Sequence, residues 1–412
     1  MNFQEQAGLK IAATRKFTER DGYWLVPQGK NRFLFYRVTF EPKRKECTCQ
    51  EFERLKPSWC KHLYALKHLL AQQKTVSRPD SKPKPVPKSP AKKSYPRDWS
   101  KYNEARREEH AEFKVVLYEL CKDLPPHHTS SKGGRPRVPL ADLVYAAVTK
   151  VRHHKSGAKM ESLLKEEREG GRITQIPKAS TILNFFNSTK ATEVLNQLIG
   201  VTCIPFKPLE TEFAIDSTFF PIPRKHRWYD EKSGKAKEKL LTFKAHVSSG
   251  INTNVVAAIR VTPDRGEDKA TADSKQFPFL LEETTQRFRV IEVLADAAYC
   301  SDKNFRLAQQ AGAVLITRFT SRDKGFAGGP YTDAWFFQRD RPNEHFERYN
   351  LRNNVESTHS MMKREYPGKL LFKSDHAIVN EILCIALIHN IDCLIAAKYV
   401  LGIDVGLRSE GK

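Results

Sequence analysis

Residues 349–363, YNLRNNVESTHSMMK, place one carboxylate among a phenol and several cations. On a helix turning about 100° per residue, Tyr349, Arg352, Glu356 and Lys363 fall within roughly 60° of one another. Leu351, Val355, Thr358 and Met362 form a mostly apolar stripe about 120° away, the face such a helix would bury. A carboxylate among donors at the rim of a core suits a surface ion-pair cluster. It equally suits a site in which an acid holds a metal and its neighbours grip phosphates. Two further acids bear on the choice: Asp216 closes the apolar run EFAID, and Asp296 closes VIEVLAD. Either alone reads as a turn or cap residue. With Glu356 they form a trio that would repel unless cations relieved it. Magnesium, a hard ion preferring oxygen ligands, fits that need. Two such ions roughly 3.5–4 Å apart serve in-line displacement at phosphorus.

A second ligand set lies near the start. CTCQEFERLKPSWCKH contains Cys47, Cys49, Cys60 and His62. Four soft or borderline ligands so close together suit a tetrahedral structural zinc, and a small module needs such a staple. The bland alternative is a few reduced cysteines in a small core beside an unrelated histidine.

These residues need elements to hold them. YWLVPQGKNRFLFYRVTF reads as two strands around QGKN, with Leu34, Tyr36, Val38 and Phe40 on one face. Residues 74–98 are rich in proline and lysine and read as an extended basic tether. Residues 99–205 read as helical: Leu140, Val144, Ala147 and Val151 keep helical spacing. Within them, KMESLLKEEREGGRITQIPKASTILNFFN reads either as a helix-turn-helix showing Lys178, Thr181 and Asn184 to DNA or as a helical connector. Arg135 and Arg137 in GGRPR suit a minor groove or a solvated turn. From 206 to 405 the pattern becomes strands in a meander, then strands alternating with helices. That order predicts an α/β domain with a mixed sheet flanked by helices. The expected organisation is a zinc-stapled α+β module at 1–73, the tether at 74–98, a helical region at 99–205 and the sheet domain at 206–405.

Composition narrows the partners. The 412 residues carry 70 Lys+Arg against 48 Asp+Glu, a formal charge of +22 with pI about 9.6. Such a chain gains affinity for nucleic acid by releasing counterions. The eight cysteines, without a secretory signal, predict a reducing cytoplasm rather than a disulfide framework. The most apolar segment, 376–401, contains Asn380, Glu381, His389, Asn390 and Asp392, which argues against a membrane span.

The cysteine pattern, C-x-C then C-x-H after a strand pair, resembles a SWIM zinc finger, which implies DNA or protein binding. Tyr349, Arg352, Glu356 and Lys363 match the Y-(2)-R-(3)-E-(6)-K signature of bacterial insertion-sequence DDE transposases. AIDST resembles that family's first-Asp segment, LADAAYCS its second, and NEILCIALIHNI its C-terminal helix. The resemblance runs over about residues 206–400. It implies a ribonuclease-H-like fold, Asp216, Asp296 and Glu356 as magnesium ligands and catalytic triad, and Tyr349, Arg352 and Lys363 as DNA phosphate contacts. It also implies double-stranded DNA as partner and a homodimer or larger synaptic assembly. Ala297 and Ala298 stand where relatives often have Gly, and the interval from Asp296 to Glu356 leaves little room for the large β insertion of some relatives. In that interval YTDAWFF offers rings either to an unpaired base or to packing. The activity so implied is metal-dependent strand cleavage and transfer. The alternatives are a related nuclease without transfer, or a DNA-binding regulator with an inactive sheet domain.

Overall fold

The computed structural model describes residues 3–14, 17–20, 22–27, 35–41, 44–54, 59–76, 98–125, 137–222, 242–264, 272–321, 323, 328–364 and 370–403. The chain divides into two compact units, Met1–Tyr95 and Pro96–Lys412. Of the tether at 74–98, residues 77–97 lie outside the described residues, as do the turn at 28–31 and most of GGRPR.

The first unit is a four-stranded antiparallel sheet ordered β1 (Thr18–Arg20), β2 (Tyr23–Pro27), β3 (Phe35–Phe40), β4 (Lys45–Cys47). Helices α1 (Phe3–Thr14), α2 (Gln50–Arg54) and α3 (Lys61–Val76) accompany it. Alternation along β3 sends Val38 into a small core with Val26, Leu63, Ala65, Leu66 and the three cysteines, with Tyr36 and Phe40 packed against it. At Gly8 of α1 a Cβ would lie 2.6 Å from the Tyr64 Cβ of α3, so this helix pair packs too closely for any larger residue.

The second unit has a ribonuclease-H-like mixed sheet, ordered β7-β6-β5-β8-β9. Strands β5 (Glu212–Pro221), β6 (Thr242–Gly250) and β7 (Val256–Asp264) form the antiparallel meander. Strand β7 tolerates Pro263 because it is an edge. Strands β8 (Glu292–Ala295) and β9 (Val314–Ile316) run parallel to β5. Ahead of the sheet come α4 (Trp99–Lys122), α5 (Leu140–His153), α6 (Gly157–Glu169), α7 (Ala179–Phe186) and α8 (Thr189–Thr202). Helix α9 (Asp273–Arg287) precedes β8 and α10 (Asp302–Gln310) follows it. Then come α11 (Gly329–Asp340), α12 (Pro342–Asn350), α13 (Asn353–Arg364) and α14 (Asp375–Leu401).

Helix α14 explains why the apolar segment 376–401 keeps polar residues. It is buried nearly all round within the core, and its buried polar groups are hydrogen-bonded to backbone and side chains of neighbouring elements. Asn380 donates to the carbonyls of Phe186 and Ser188. Asn390 accepts from the Val256 N–H and donates to its carbonyl. Glu381 accepts the N–H groups of Leu371 and Phe372. By length and composition alone α14 could cross a membrane, but here it is a core helix. Helices α4–α8 contribute to the same apolar core as the sheet, and Arg152 fastens them by pairing with Asp392 and Glu109.

Helices α6 and α7 are joined by segment 170–178, longer than the 3–4-residue turn of a helix-turn-helix. The Asp142 carboxylate pins that segment by accepting the N–H groups of Thr174 and Gln175 and the Thr174 hydroxyl. Lys178 and Asn184 are exposed, whereas Thr181 is half-buried. The link between the two helices is therefore longer than that turn and is held from α5.

Candidate active site and candidate metal centre

Strand register brings the first two acids together. In the parallel pairing of β5 with β8 the final partners are Ile215 and Ala295, so Asp216 and Asp296 follow side by side where β8 ends. Asp296 lies just past its strand as expected, whereas Asp216, expected to close a strand, sits midway along β5, which continues to Pro221 paired with β6. Adjacent strands lie about 4.8 Å apart. By alternation Asp216 shares the sheet face of Ala214. Ala214 packs with Leu294, Ile316, Ile251 and Val355, and Tyr349 rests against that cluster. Val355, buried on α13, seats the helix over this face, and its neighbour Glu356 meets the same Arg352 guanidinium as Asp216. Thr358 strengthens the seating by bonding with Ser249 and Asn254 of the β6–β7 hairpin.

Residues 349–363 are not one continuous helix. Helix α12 stops at Asn350 and α13 starts at Asn353. Across the joint, the N–H groups of Leu351, Arg352, Asn354 and Val355 each reach the carbonyl three residues earlier. This tighter winding turns each residue further than an α-helix does. Leu351 consequently leaves the buried stripe and is 40% exposed, while Val355, Thr358 and Met362 are buried as expected. Tyr349, Arg352 and Glu356 nevertheless stay on the same side.

Arg352 occupies the centre of the site. One guanidinium nitrogen donates to Asp216 Oδ2 at 2.8 Å and another to Glu356 Oε1 at 2.8 Å. Its side chain is only 13% exposed, against 19% for Asp216 and 59% for Glu356. Burial pushes the Asp216 carboxyl up from its ordinary value; the Ser217 N–H and Arg352 pull it back, and the charges of Asp296 and Glu356 add to the rise. The three acids therefore feel one another. Asp296 also accepts the Ala297 N–H at 2.7 Å, which fixes its side chain as the cap of a short 3-10 turn, Ala297–Tyr299.

The phosphate-contact candidates divide. The Tyr349 ring lies 5.7 Å from the Arg352 guanidinium and stacks on His345 with centroids 5.9 Å apart and planes 10° from parallel. Burial raises the Tyr349 phenol, and the exposed Arg318 just past β9 lies close enough to oppose that rise. Lys363 is exposed and sits 5.7 Å over the Phe220 ring, on the sheet face of Asp216. Trp335 and Phe336 of YTDAWFF are covered by Arg339, 5.0 and 4.3 Å from their ring centres, and Trp335 packs against the core. Neither Arg318 nor His345 was legible as a site residue in the sequence, since neither belongs to a spaced motif.

The other ligand set closes fully. Cys47 ends β4, Cys60 and His62 open α3, and Cys49 lies between the strand and α2. All four are buried, and one ligand atom of each lies within 4.8 Å of the others. Among the described residues only this group of histidines, cysteines and acids meets that spacing. Hydrogen bonding from Cys47 holds the Cys60 thiol down at about 4. Two sulfur ligands around a thiolate, with an imidazole, are a donor set suited to Zn2+.

Residues 207–391 match the transposase DDE domain family, and residues 36–71 match the SWIM zinc finger family. The chain carries a transposase DDE domain and, before it, a SWIM zinc finger. No curated protein is significantly similar to it. The DDE domain gives the sheet unit a transposase or nuclease type of function and implies a divalent metal, for which three carboxylates are the appropriate hard donors. The observed Arg352 bridge shows that this acid group draws a cation between its members. The SWIM finger accounts for the cysteine and histidine cluster.

Proposed function

We propose that the chain is a DNA transposase that binds the ends of its element, hydrolyses a phosphodiester and directs the freed 3′-hydroxyl at target DNA. The observation that carries the reading is the register of β5 and β8, which sets Asp216 beside Asp296, with Glu356 joined to Asp216 through Arg352. In this reading Asp216, Asp296 and Glu356 hold magnesium. When bound, the metal would supply Lewis-acid polarisation of the scissile phosphate and offset its charge. The protein supplies placement: the middle of β5 and the end of β8 fix two acids, and the half-buried Tyr349 and Arg352 with the exposed Lys363 and Arg318 offer donors to DNA phosphates. Conserving charge-bearing groups around a rigid strand end lowers the reorganisation needed during reaction.

The basic composition supplies affinity for the duplex. The four structural regions anticipated from the sequence belong to this proposal, as do a cytoplasmic location and synapsis by two or more copies. The test is strand cleavage on DNA taken from the two flanks of the gene, searched for inverted repeats. Asp216→Asn, Asp296→Asn and Glu356→Gln should each reduce cleavage and joining to background while DNA binding persists. Normal cleavage by Asp216→Asn would overturn the triad. Cleavage without joined product would reduce the reading to a nuclease.

A further inference from the structure

The last pair in the parallel ladder of β8 with β9 is Leu294 and Ile316. Beyond it, Asp296 and Thr317 leave the ladder, and their carbonyls must find other donors or remain unpaired in a buried place. The Asp296 carbonyl accepts twice: from the Tyr299 N–H at 2.9 Å and from the Thr317 hydroxyl at 3.0 Å. The Thr317 carbonyl in turn is 3.1 Å from His345 Nε2. Since a carbonyl only accepts, the Nε2 must carry the proton. Burial lowers the His345 pKa, in keeping with a neutral ring. Thr317 and His345 are both buried. The same ring stacks on Tyr349, one turn later on α12.

We propose that Thr317 and His345 are positioning residues that fix the Asp296 strand end and the Tyr349 ring relative to each other, tying the acid end of the sheet to the helix that leads to Arg352 and Glu356. Neither side chain reaches the reacting atoms in this assignment, and it rests on the DDE reading given above. What makes the pair more than packing is where it acts. Without the Thr317 hydroxyl the Asp296 carbonyl keeps only the Tyr299 N–H, a bond within its own turn, so the turn after β8 loses its tie to β9 and the Asp296 carboxylate can shift with it. Groups that orient metal ligands in this way are commonly worth about 10- to 100-fold in metal affinity.

The experiment titrates Mn2+ alone into the full-length, zinc-loaded chain, followed by electron paramagnetic resonance, with thermal melting in parallel. The variants are Thr317→Val, Thr317→Ser, His345→Phe and His345→Gln. Thr317→Val keeps the volume and removes the donor; Thr317→Ser restores the donor. His345→Phe keeps a ring and loses the N–H; His345→Gln keeps an N–H. The expected result is Mn2+ binding weakened about tenfold or more in Thr317→Val and His345→Phe, and within about twofold of the parent in Thr317→Ser and His345→Gln. Affinity in Thr317→Val equal to the parent, or no recovery in Thr317→Ser, overturns the proposal. Should Thr317→Val fail to fold, the comparison of His345→Phe with His345→Gln decides in its place. A parent chain that binds no Mn2+ overturns this proposal together with the metal site, whereas parent binding indifferent to all four substitutions overturns this proposal alone.

Discussion

The cysteine–histidine cluster and the carboxylate cluster are both candidate metal centres, built in opposite ways. The first takes its four ligands from a short local stretch, buries all of them, and brings their donor atoms within 4.8 Å. The second draws on the middle of one strand, the end of another and a helix, far apart in sequence. It leaves Glu356 59% exposed and has an arginine between two of its acids. A closed, buried, sulfur-rich shell has no open position for a substrate and serves stability. An open oxygen shell with a replaceable cation has room for both metal and phosphate. Accessibility and donor type, more than acid or thiol count, separate a staple from a reaction centre.

The sharpest way to break this comparison is to remove the staple. Structural zinc contributes about 10–16 kcal/mol of folding free energy in small finger peptides. Chelating zinc, or substituting Cys60→Ser, should therefore abolish the cooperative melting of the Met1–Tyr95 unit. The Pro96–Lys412 unit has its own large core, so its melting should be unchanged. Differential scanning calorimetry with and without chelator reads both transitions. Loss of the second transition would show that the cysteine centre supports more than its own unit.

A smaller effect probes the open centre. In the metal-free chain Arg352 supplies positive charge to Asp216 and Glu356, so an incoming divalent cation must displace it from at least one of them. Arg352→Gln keeps a polar side chain and removes the competing charge. It should strengthen Mn2+ binding by about tenfold, equivalent to about 1.4 kcal/mol, while cleavage falls because a phosphate contact is lost. These opposite signs separate the exchange from general damage to the site. Weaker Mn2+ binding in Arg352→Gln would mean that the guanidinium organises the acids for the metal instead of competing with it.

How much the sequence disclosed follows the same division. The cysteine centre was legible because its ligands are neighbours in the chain and their spacing is set locally. The mixed sheet was legible from the order of its apolar runs, and Asp296 follows the end of its strand as read, but Asp216 does not close one: β5 runs on through Phe219 and Phe220 to Pro221. The side-by-side placement of the two acids was not legible, because register between β5 and β8 is fixed by packing between residues 80 positions apart in the chain, such as Ile215 and Ala295. The joint at Leu351–Arg352 escaped for a similar reason. No glycine or proline marks it, and the tight winding is imposed by Val355 and Arg352 finding their partners. Thr317 and His345 are invisible to spacing arguments, since what they satisfy is a pair of backbone carbonyls left over where a ladder ends. The pinning of segment 170–178 by Asp142 is likewise a tertiary fact that no local spacing announces.

A buried carboxylate elsewhere in the sheet unit tests whether burial of an acid is by itself the mark of a metal centre. Glu381 is fully buried on α14, and burial raises its pKa to about 7, against the N–H groups of Leu371 and Phe372 and the charge of Lys150, which lower it. Its folded pKa exceeds the ordinary 4.5, so the fold favours the protonated acid. The stability tied to it is complete below about pH 4.5 and is lost as the pH rises through about 7. His359 and His389, lowered by burial to about 4, act in the opposite direction: their contribution is present above the ordinary 6.5 and lost as the pH falls towards 4. The raw pH profile of the parent therefore mixes opposing slopes, and Glu381→Gln isolates one of them. Relative to this variant, the parent should lose about 2 kcal/mol between pH 5 and pH 8, measured by urea unfolding of the sheet unit. Because Glu381 is satisfied by backbone donors and not by a cation, Mn2+ should leave that difference unchanged. A difference that shrinks when Mn2+ is added would place a divalent ion at Glu381, and the contrast between a structural acid and the open site around Asp216 would no longer hold.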